Sequence, residues 1–299
     1  MKYYYAHGLG ILSELNFPEF IIAKTNVDLI IKFGEIDSIL GDFTDYNLSE
    51  LAKARVDSNK TYLIWNDVLI CCINHKKIII NSKTNLEEDF LRLLILSYAF
   101  AIFLHKRGKL VLHANAINMF GNAVVFLGGS GEGKSTTSLI FNKKGYNLLS
   151  DDVLSIGLNN DFPIVYSGFP RIKILPDVIK NLNEDIKLIP KISNNSKKLS
   201  YQVRDNFHDS YLPLMSIYLI ERSHETKIEN LGLQEGLMEL IKSSYCYKMF
   251  NSFELNENLK QCTEILNKVQ LKRLCIKNSI DDLEMVVKII EKDILEIIQ

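Results

Sequence analysis

Residues 128–135 read Gly128-Gly129-Ser130-Gly131-Glu132-Gly133-Lys134-Ser135 and fit the pattern G-x-x-x-x-G-K-[ST]. The apolar run Ala123-Val124-Val125-Phe126-Leu127 precedes it and a helix-forming stretch follows, so the pattern predicts a strand, a tight loop and a helix in that order. Such a loop cradles phosphate, because glycines let backbone N–H groups turn inward and the helix start adds its positive end. Gly128, Gly129, Ser130, Gly131, Glu132, Gly133, Lys134, Ser135 and the adjoining Thr136 are therefore the expected nucleotide-binding residues. Lys134 is expected to reach the β- and γ-phosphates, and the Ser135 hydroxyl to ligate Mg²⁺.

The hydrophobic period divides the chain around this loop. Residues 3–83 hold short β-rich runs, such as Lys77-Ile78-Ile79-Ile80, separated by Asp, Asn, Ser and Gly, and predict a small antiparallel sheet. Residues 87–106 open acidic, close basic and stop at Gly108, which predicts a helix lying between two sheets. Residues 110–118 and 123–127 flank Phe120-Gly121-Asn122, a hairpin whose second strand feeds the loop. Residues 183–204 are rich in Asn, Lys and Ser and read as an exposed loop or short helices. A strand is expected from residue 214 and an amphipathic helix over 281–298. The expected division is a β-rich subdomain over 1–106 and a loop-bearing domain over 107–299.

Composition excludes several classes. The 299 residues are 47% hydrophobic and 24% charged, within the range of ordinary globular chains. A net charge of −1 offers no global field for nucleic acid. No apolar run reaches the roughly 18 residues that cross a bilayer, and the N-terminus lacks a signal-peptide core, so no membrane partner and a cytoplasmic location are expected. The five cysteines have no CxxC spacing and read as reduced core residues.

Two further features carry chemistry. The helix after the loop is expected to end at Gly145, and a short strand then leads into Ser150-Asp151-Asp152. Metal-assisted phosphoryl transfer needs one carboxylate for Mg²⁺ and another to orient or deprotonate the attacking hydroxyl, and Asp151 and Asp152 can divide those tasks. Upstream, His113 lies in Leu112-His113-Ala114-Asn115, on what reads as the first strand of the hairpin.

Taken together, Leu112-His113, the hairpin, the glycine loop and Gly145-Tyr146-Asn147-Leu148-Leu149-Ser150-Asp151-Asp152 resemble the catalytic domain of the HPr kinase/phosphorylase family in order and interval. The resemblance covers about residues 110–175 and implies an α/β (α+β) mixed-sheet P-loop core like that of phosphoenolpyruvate carboxykinase. It also implies ATP and Mg²⁺ as substrate and cofactor. Asp152 becomes the base for a serine acceptor, Asp151 a metal or water ligand, His113 an active-site histidine, and Lys134 and Ser135 the phosphate and metal ligands. Phe169-Pro170-Arg171-Ile172 takes the place of the family's Glu-Ile-Arg-Gly signature. Arg171 matches its arginine and by that resemblance would assist, with His113, at the γ-phosphate, whereas Pro170 replaces its Mg²⁺-binding glutamate, leaving Asp177 or the aspartate pair for that task. Lys173, Lys197 and Lys198 are candidate phosphate contacts.

The segment after that signature departs from the family pattern, and the plan is closer to a divergent branch resembling lasso peptide kinases. Tyr5-Ala6-His7-Gly8-Leu9 and Phe17-Pro18-Glu19 are among the residues matched to that branch. The expected activity is phosphorylation of a serine hydroxyl in a peptide or protein, most specifically a ribosomally made precursor peptide. The alternatives are a kinase of a small-molecule hydroxyl and a non-catalytic nucleotide-dependent switch. Because the family often forms hexamers, the resemblance leaves room for a homo-oligomer.

Overall fold

Short apolar runs broken by turn-forming residues give eight strands in the first region: Lys2–Ala6 (β1), Leu9–Ser13 (β2), Leu29–Phe33 (β3), Thr44–Asn47 (β4), Ala52–Val56 (β5), Thr61–Trp65 (β6), Leu69–Ile73 (β7) and Lys77–Ser82 (β8). The computed structural model describes residues 1–36, 43–48, 51–56, 60–66, 68–84, 86–160, 162–182, 184–194, 196–277 and 282–299. The eight strands form one sheet in the order β1-β2-β3-β8-β7-β6-β5-β4. The sheet is not wholly antiparallel: β3 runs parallel to both β2 and β8. The long connections from β2 to β3 and from β3 to β8 permit this, since parallel neighbours need a crossover rather than a tight turn.

Helix α1 (Glu88–Leu94), a π-helical turn over Ile95–Ala99 and helix α2 (Phe100–Lys106) follow without a break. Leu91, Leu94, Phe100 and Phe103 pack into a core with Ile31, Ile78 and Ile80 of the first sheet. Val111, Val153 and Phe169 of the second region join the same core, so the helix does lie between two sheets.

The second region continues with Leu110–His113 (β9), Asn115–Met119 (β10), Asn122–Leu127 (β11), Lys134–Lys143 (α3), Leu148–Ser150 (β12), Val153–Asn159 (β13) and Phe162–Tyr166 (β14). Then come Arg171–Ile174 (β15), Pro176–Asn181 (α4), Leu199–Gln202 (β16), Leu212–Ser223 (β17) and Lys227–Asn230 (β18). Leu233–Ser243 (α5), Ser252–Leu266 (α6), Gln270–Lys277 (β19) and Leu283–Ile298 (α7) complete the chain. The stretch expected as an exposed loop thus contains a strand, β16, which pairs with β15. Asn183 and Asp281, the first residues of two expected segments, lie outside the described residues.

The second sheet is mixed: β17 runs parallel to β11 and β19, and its other pairings are antiparallel. Side chains along β11 alternate between two cores. Val125 and Leu127 face Leu240, Cys262 and Ile265 of α5 and α6, whereas Val124 and Phe126 face Phe141 of α3 and Ile290 and Ile294 of α7. Both faces of this strand are therefore dry, consistent with its continuous apolar sequence.

The expected hairpin forms between β10 and β11, but His113 is not on it. The run 110–118 breaks at Ala114, so His113 ends β9, which pairs with β13, while Asn115 begins β10, which pairs with β11 and β12. β9 and β12 are the two ends of the main strand path. Because the chain steps from β9 to β10 and from β12 to β13 at the same level, the sheet curls until those ends meet at residues 113–115 and 150–153. Among the described residues no helix is long and apolar enough to cross a membrane. All five cysteines are free thiols, and all but Cys246 are buried.

Candidate functional site

The loop from β11 into α3 takes its shape from three glycines at positive φ, Gly128 (+146°), Gly131 (+91°) and Gly133 (+112°). A side chain at Gly133 would be strained there and would place its β-carbon 3.0 Å from the Arg222 guanidinium. Gly133 caps α3 without a side-chain hydrogen bond, leaving the first-turn amides of the helix open to the loop. Lys134 is buried, and its Nζ donates to the carbonyls of Gly128 (2.7 Å) and Gly129 (3.1 Å). Burial lowers its pKa, with Asp152 and Asp151 opposing.

The meeting of strand ends brings the remaining groups to this loop. Asn115 Nδ2 donates to Asp151 Oδ1 at 2.7 Å and lies 3.4 Å from Ser135 Oγ, and the Ser135 hydroxyl donates to the same Asp151 oxygen at 3.0 Å. The other Asp151 oxygen accepts the Lys173 backbone N–H at 2.9 Å. Asp152, held at a left-handed φ of +76°, turns its carboxylate the other way, towards Lys173 Nζ (2.5 Å) and His113 Nδ1 (3.5 Å). Two adjacent aspartates thus occupy different surroundings, a divergence the positive φ makes possible.

Their ionisation diverges as well. Burial and then the Asp152 charge raise the Asp151 pKa. Burial alone would raise Asp152 too, but Lys173 and His113 reverse this and hold its carboxyl well below the usual carboxylate range. His113 is shifted down by burial, against the pull of Asp152.

A cavity of about 290 Å³ opens over these groups, lined by Gly129, Ser130, Gly131, Gly133, Lys134, Ser135 and Thr136 together with His113, Asn115, Asp151, Asp152, Lys173 and Lys198. Gly128 lies beneath the loop as a lysine acceptor, and the Glu132 side chain packs near Gly128 and Gly129. Three expected residues stand elsewhere. Arg171 is 2% exposed, lies outside the cavity wall and pairs with Glu19 (3.1 Å), because a guanidinium this deep needs a carboxylate partner. Asp177, in the first turn of α4, is exposed, pairs with Lys180 and lies outside the cavity wall. Lys197 is exposed and outside the cavity wall.

Asn115, which ties Ser135 to both aspartates, escaped the sequence reading. Its signal was present: it lies two residues beyond His113 in a run of apolar neighbours, where a buried amide must find partners. Among the described residues no three His, Cys, Asp or Glu side chains gather as a metal site. The Ser135 hydroxyl beside the Asp151 carboxylate nevertheless fits Mg²⁺, which usually takes one or two protein oxygens together with phosphate and water.

No family model matches the sequence. The HPr kinase/phosphorylase of Caldicellulosiruptor bescii is 27% identical over 124 residues, which cover 36% of this chain and 40% of that protein. The chain therefore matches less than half the length of this curated relative. Among solved structures, the Hpr(Ser) kinase/phosphatase from Coxiella burnetii aligns with 63% of this chain and 99% of that chain, at 12% identity and a TM-score of 0.35.

Proposed function

We propose that the protein is an ATP- and Mg²⁺-dependent kinase that transfers the γ-phosphate to a serine hydroxyl of a peptide or protein. The observation that carries this reading is the convergence of Lys134, Ser135, Asp151 and Asp152 on one cavity, from a loop and a strand junction sixteen residues apart at Ser135 and Asp151. The partial similarity to an HPr kinase/phosphorylase supports the same reaction class.

In this reading the loop amides and Lys134 hold the β- and γ-phosphates, and Ser135 and Asp151 are the ligands for Mg²⁺. When bound, the metal offsets charge on the phosphate oxygens. Asp152, kept ionised by Lys173 and His113, accepts the hydrogen bond of the acceptor hydroxyl and orients its oxygen towards phosphorus. As the new O–P bond forms and the bond to the β-phosphate oxygen breaks, the hydroxyl proton passes to Asp152 and ADP leaves. Lys134, Lys173 and Lys198 surround the transferred group with positive charge. A ribosomally made precursor peptide is the proposed acceptor, in keeping with the resemblance to the lasso peptide kinase branch.

Mass spectrometry after incubation with ATP, Mg²⁺ and serine-containing peptides tests the proposal, with Asp152→Asn as control. A gain of about 80 Da on a peptide serine, absent from the control, is expected. Tight nucleotide binding without transfer to any peptide would overturn the peptide acceptor and direct the search to small-molecule hydroxyls.

A further inference from the structure

The side chain that sequence placed at the phosphate instead joins a buried ion cluster. Arg171 Nη1 lies 3.1 Å from Glu19 Oε1, and Arg92 Nε of α1 lies 3.2 Å from the same oxygen. Arg171 is 2% exposed and Glu19 6%. The cluster is under-satisfied among the described residues: Arg171 Nε and Nη2 and Glu19 Oε2 are buried without hydrogen-bond partners. Buried ions in that condition cost stability, so a reason for keeping them is to be sought in what they position.

The segment that carries Glu19 is itself fixed. Phe17 and Phe20 on either side are buried, with Phe20 packed on Phe100 and Phe169, and Arg204 Nη2 donates to the Pro18 carbonyl. Glu19 is thus a rigid anchor provided by the connection between β2 and β3. Arg171 and Lys173 are two residues apart on β15 and share a face of the strand. Lys173 holds both aspartates, Asp151 through its backbone N–H and Asp152 through its ammonium group.

We infer that Glu19 is a positioning residue for the acidic pair: by anchoring Arg171 it sets β15 so that Lys173 meets Asp151 and Asp152, which makes the β2–β3 connection a working part of the site. This rests on the kinase reading for its effect on turnover, but its structural half stands apart from that reading. Glu19 touches neither nucleotide nor acceptor in this account and acts through Arg171 and Lys173.

Two readouts separate positioning from simple stabilisation. The first is hydrogen exchange at the Lys173 amide, followed by NMR in the unliganded chain. Glu19→Gln is expected to speed exchange there at least about tenfold, whereas Arg92→Met, which removes the other cation from Glu19, is expected to leave it unchanged. The second is peptide phosphorylation, where Glu19→Gln is expected to lower kcat about tenfold or more with the KM for ATP within twofold of the unaltered chain. Should Glu19→Gln fail to fold around the stranded Arg171, the Glu19→Met/Arg171→Met double variant replaces the pair with apolar side chains of similar volume and is expected to fold with the same losses. A folded variant of either kind with normal Lys173 exchange overturns the inference. If the unaltered chain transfers no phosphate while Glu19→Gln still frees the Lys173 amide, the kinase reading fails and the positioning stands.

Discussion

The strands β8 and β11 carry similar sequences and meet different fates. Ile78-Ile79-Ile80 in β8 is as apolar as Ala123-Val124-Val125-Phe126-Leu127 in β11. In β8 only Ile78 and Ile80 are buried, against α1 and α2, and Ile79 is partly exposed on the opposite face. In β11 every residue from Ala123 to Leu127 is buried, because helices cover both faces. The contrast shows what the two sheets provide. The first sets one face of β8 against a long helix and leaves the other face of that strand partly exposed. The second is a clamped strand that delivers its loop to a fixed place, as the proposed phosphate binding requires.

The largest predicted effect lies at the end of the clamped strand. Lys134→Ala should reduce phosphate transfer by on the order of 10³-fold and weaken ATP binding, measured by turnover and calorimetry. Undiminished binding would show that β11 delivers a loop with another purpose. Next, Phe126→Ala should cost about 3–5 kcal/mol in denaturant unfolding, because it opens a cavity between the sheet and α3 and α7. Asp152→Asn should keep ATP binding but lose transfer at least about a hundredfold, while equal loss of both would reassign Asp152 to the metal.

A smaller effect tests the seam between the sheets. His7 is fully buried there, with its backbone N–H donating to the Ser167 carbonyl and its ring near Ser155, Phe100 and Phe169. Burial, aided by the Lys109 charge, pushes its pKa down to about 3. Since the unfolded histidine takes a proton near pH 6.5 and the folded one does not, stability should fall by roughly 1.4 kcal/mol per pH unit as pH drops below that value, until about pH 3. His7→Gln should remove that share of the acid sensitivity, read as the difference between the two unfolding curves. Smallest of all, Ile79→Thr on the open face of β8 should cost less than about 1 kcal/mol. A cost like that of Phe126→Ala would mean that the face is covered in solution and would break the comparison.

Much of the second region was legible because its signals are local. The turn at Gly121, the stop at Gly145 and the run into Ser150 follow from glycine conformations and short apolar periods, and β10, β11, α3 and β12 form where those signals put them. The break at Ala114 was not legible, since Leu110 to Asn118 contains no Gly or Pro to interrupt it. Its cause is the curling of the whole sheet, which assigns the two halves of that run to different partners. Arg171 was misplaced for a related reason. The family resemblance implied a phosphate contact for it, but the direction of its side chain depends on Glu19, 152 residues away.

The sequence alone determined the glycine loop, because a strand, three glycines at positive φ and a helix start are properties of neighbouring residues. Tertiary structure decided which charges meet there. His113, Asn115, Asp151 and Asp152 come together only when the sheet curls on itself, Lys173 joins them from the separate β15–β16 pair, and Asp152 becomes a held anion only beside Lys173 and His113. Electrostatic strength depends on distance and burial, and neither is fixed until distant segments have packed.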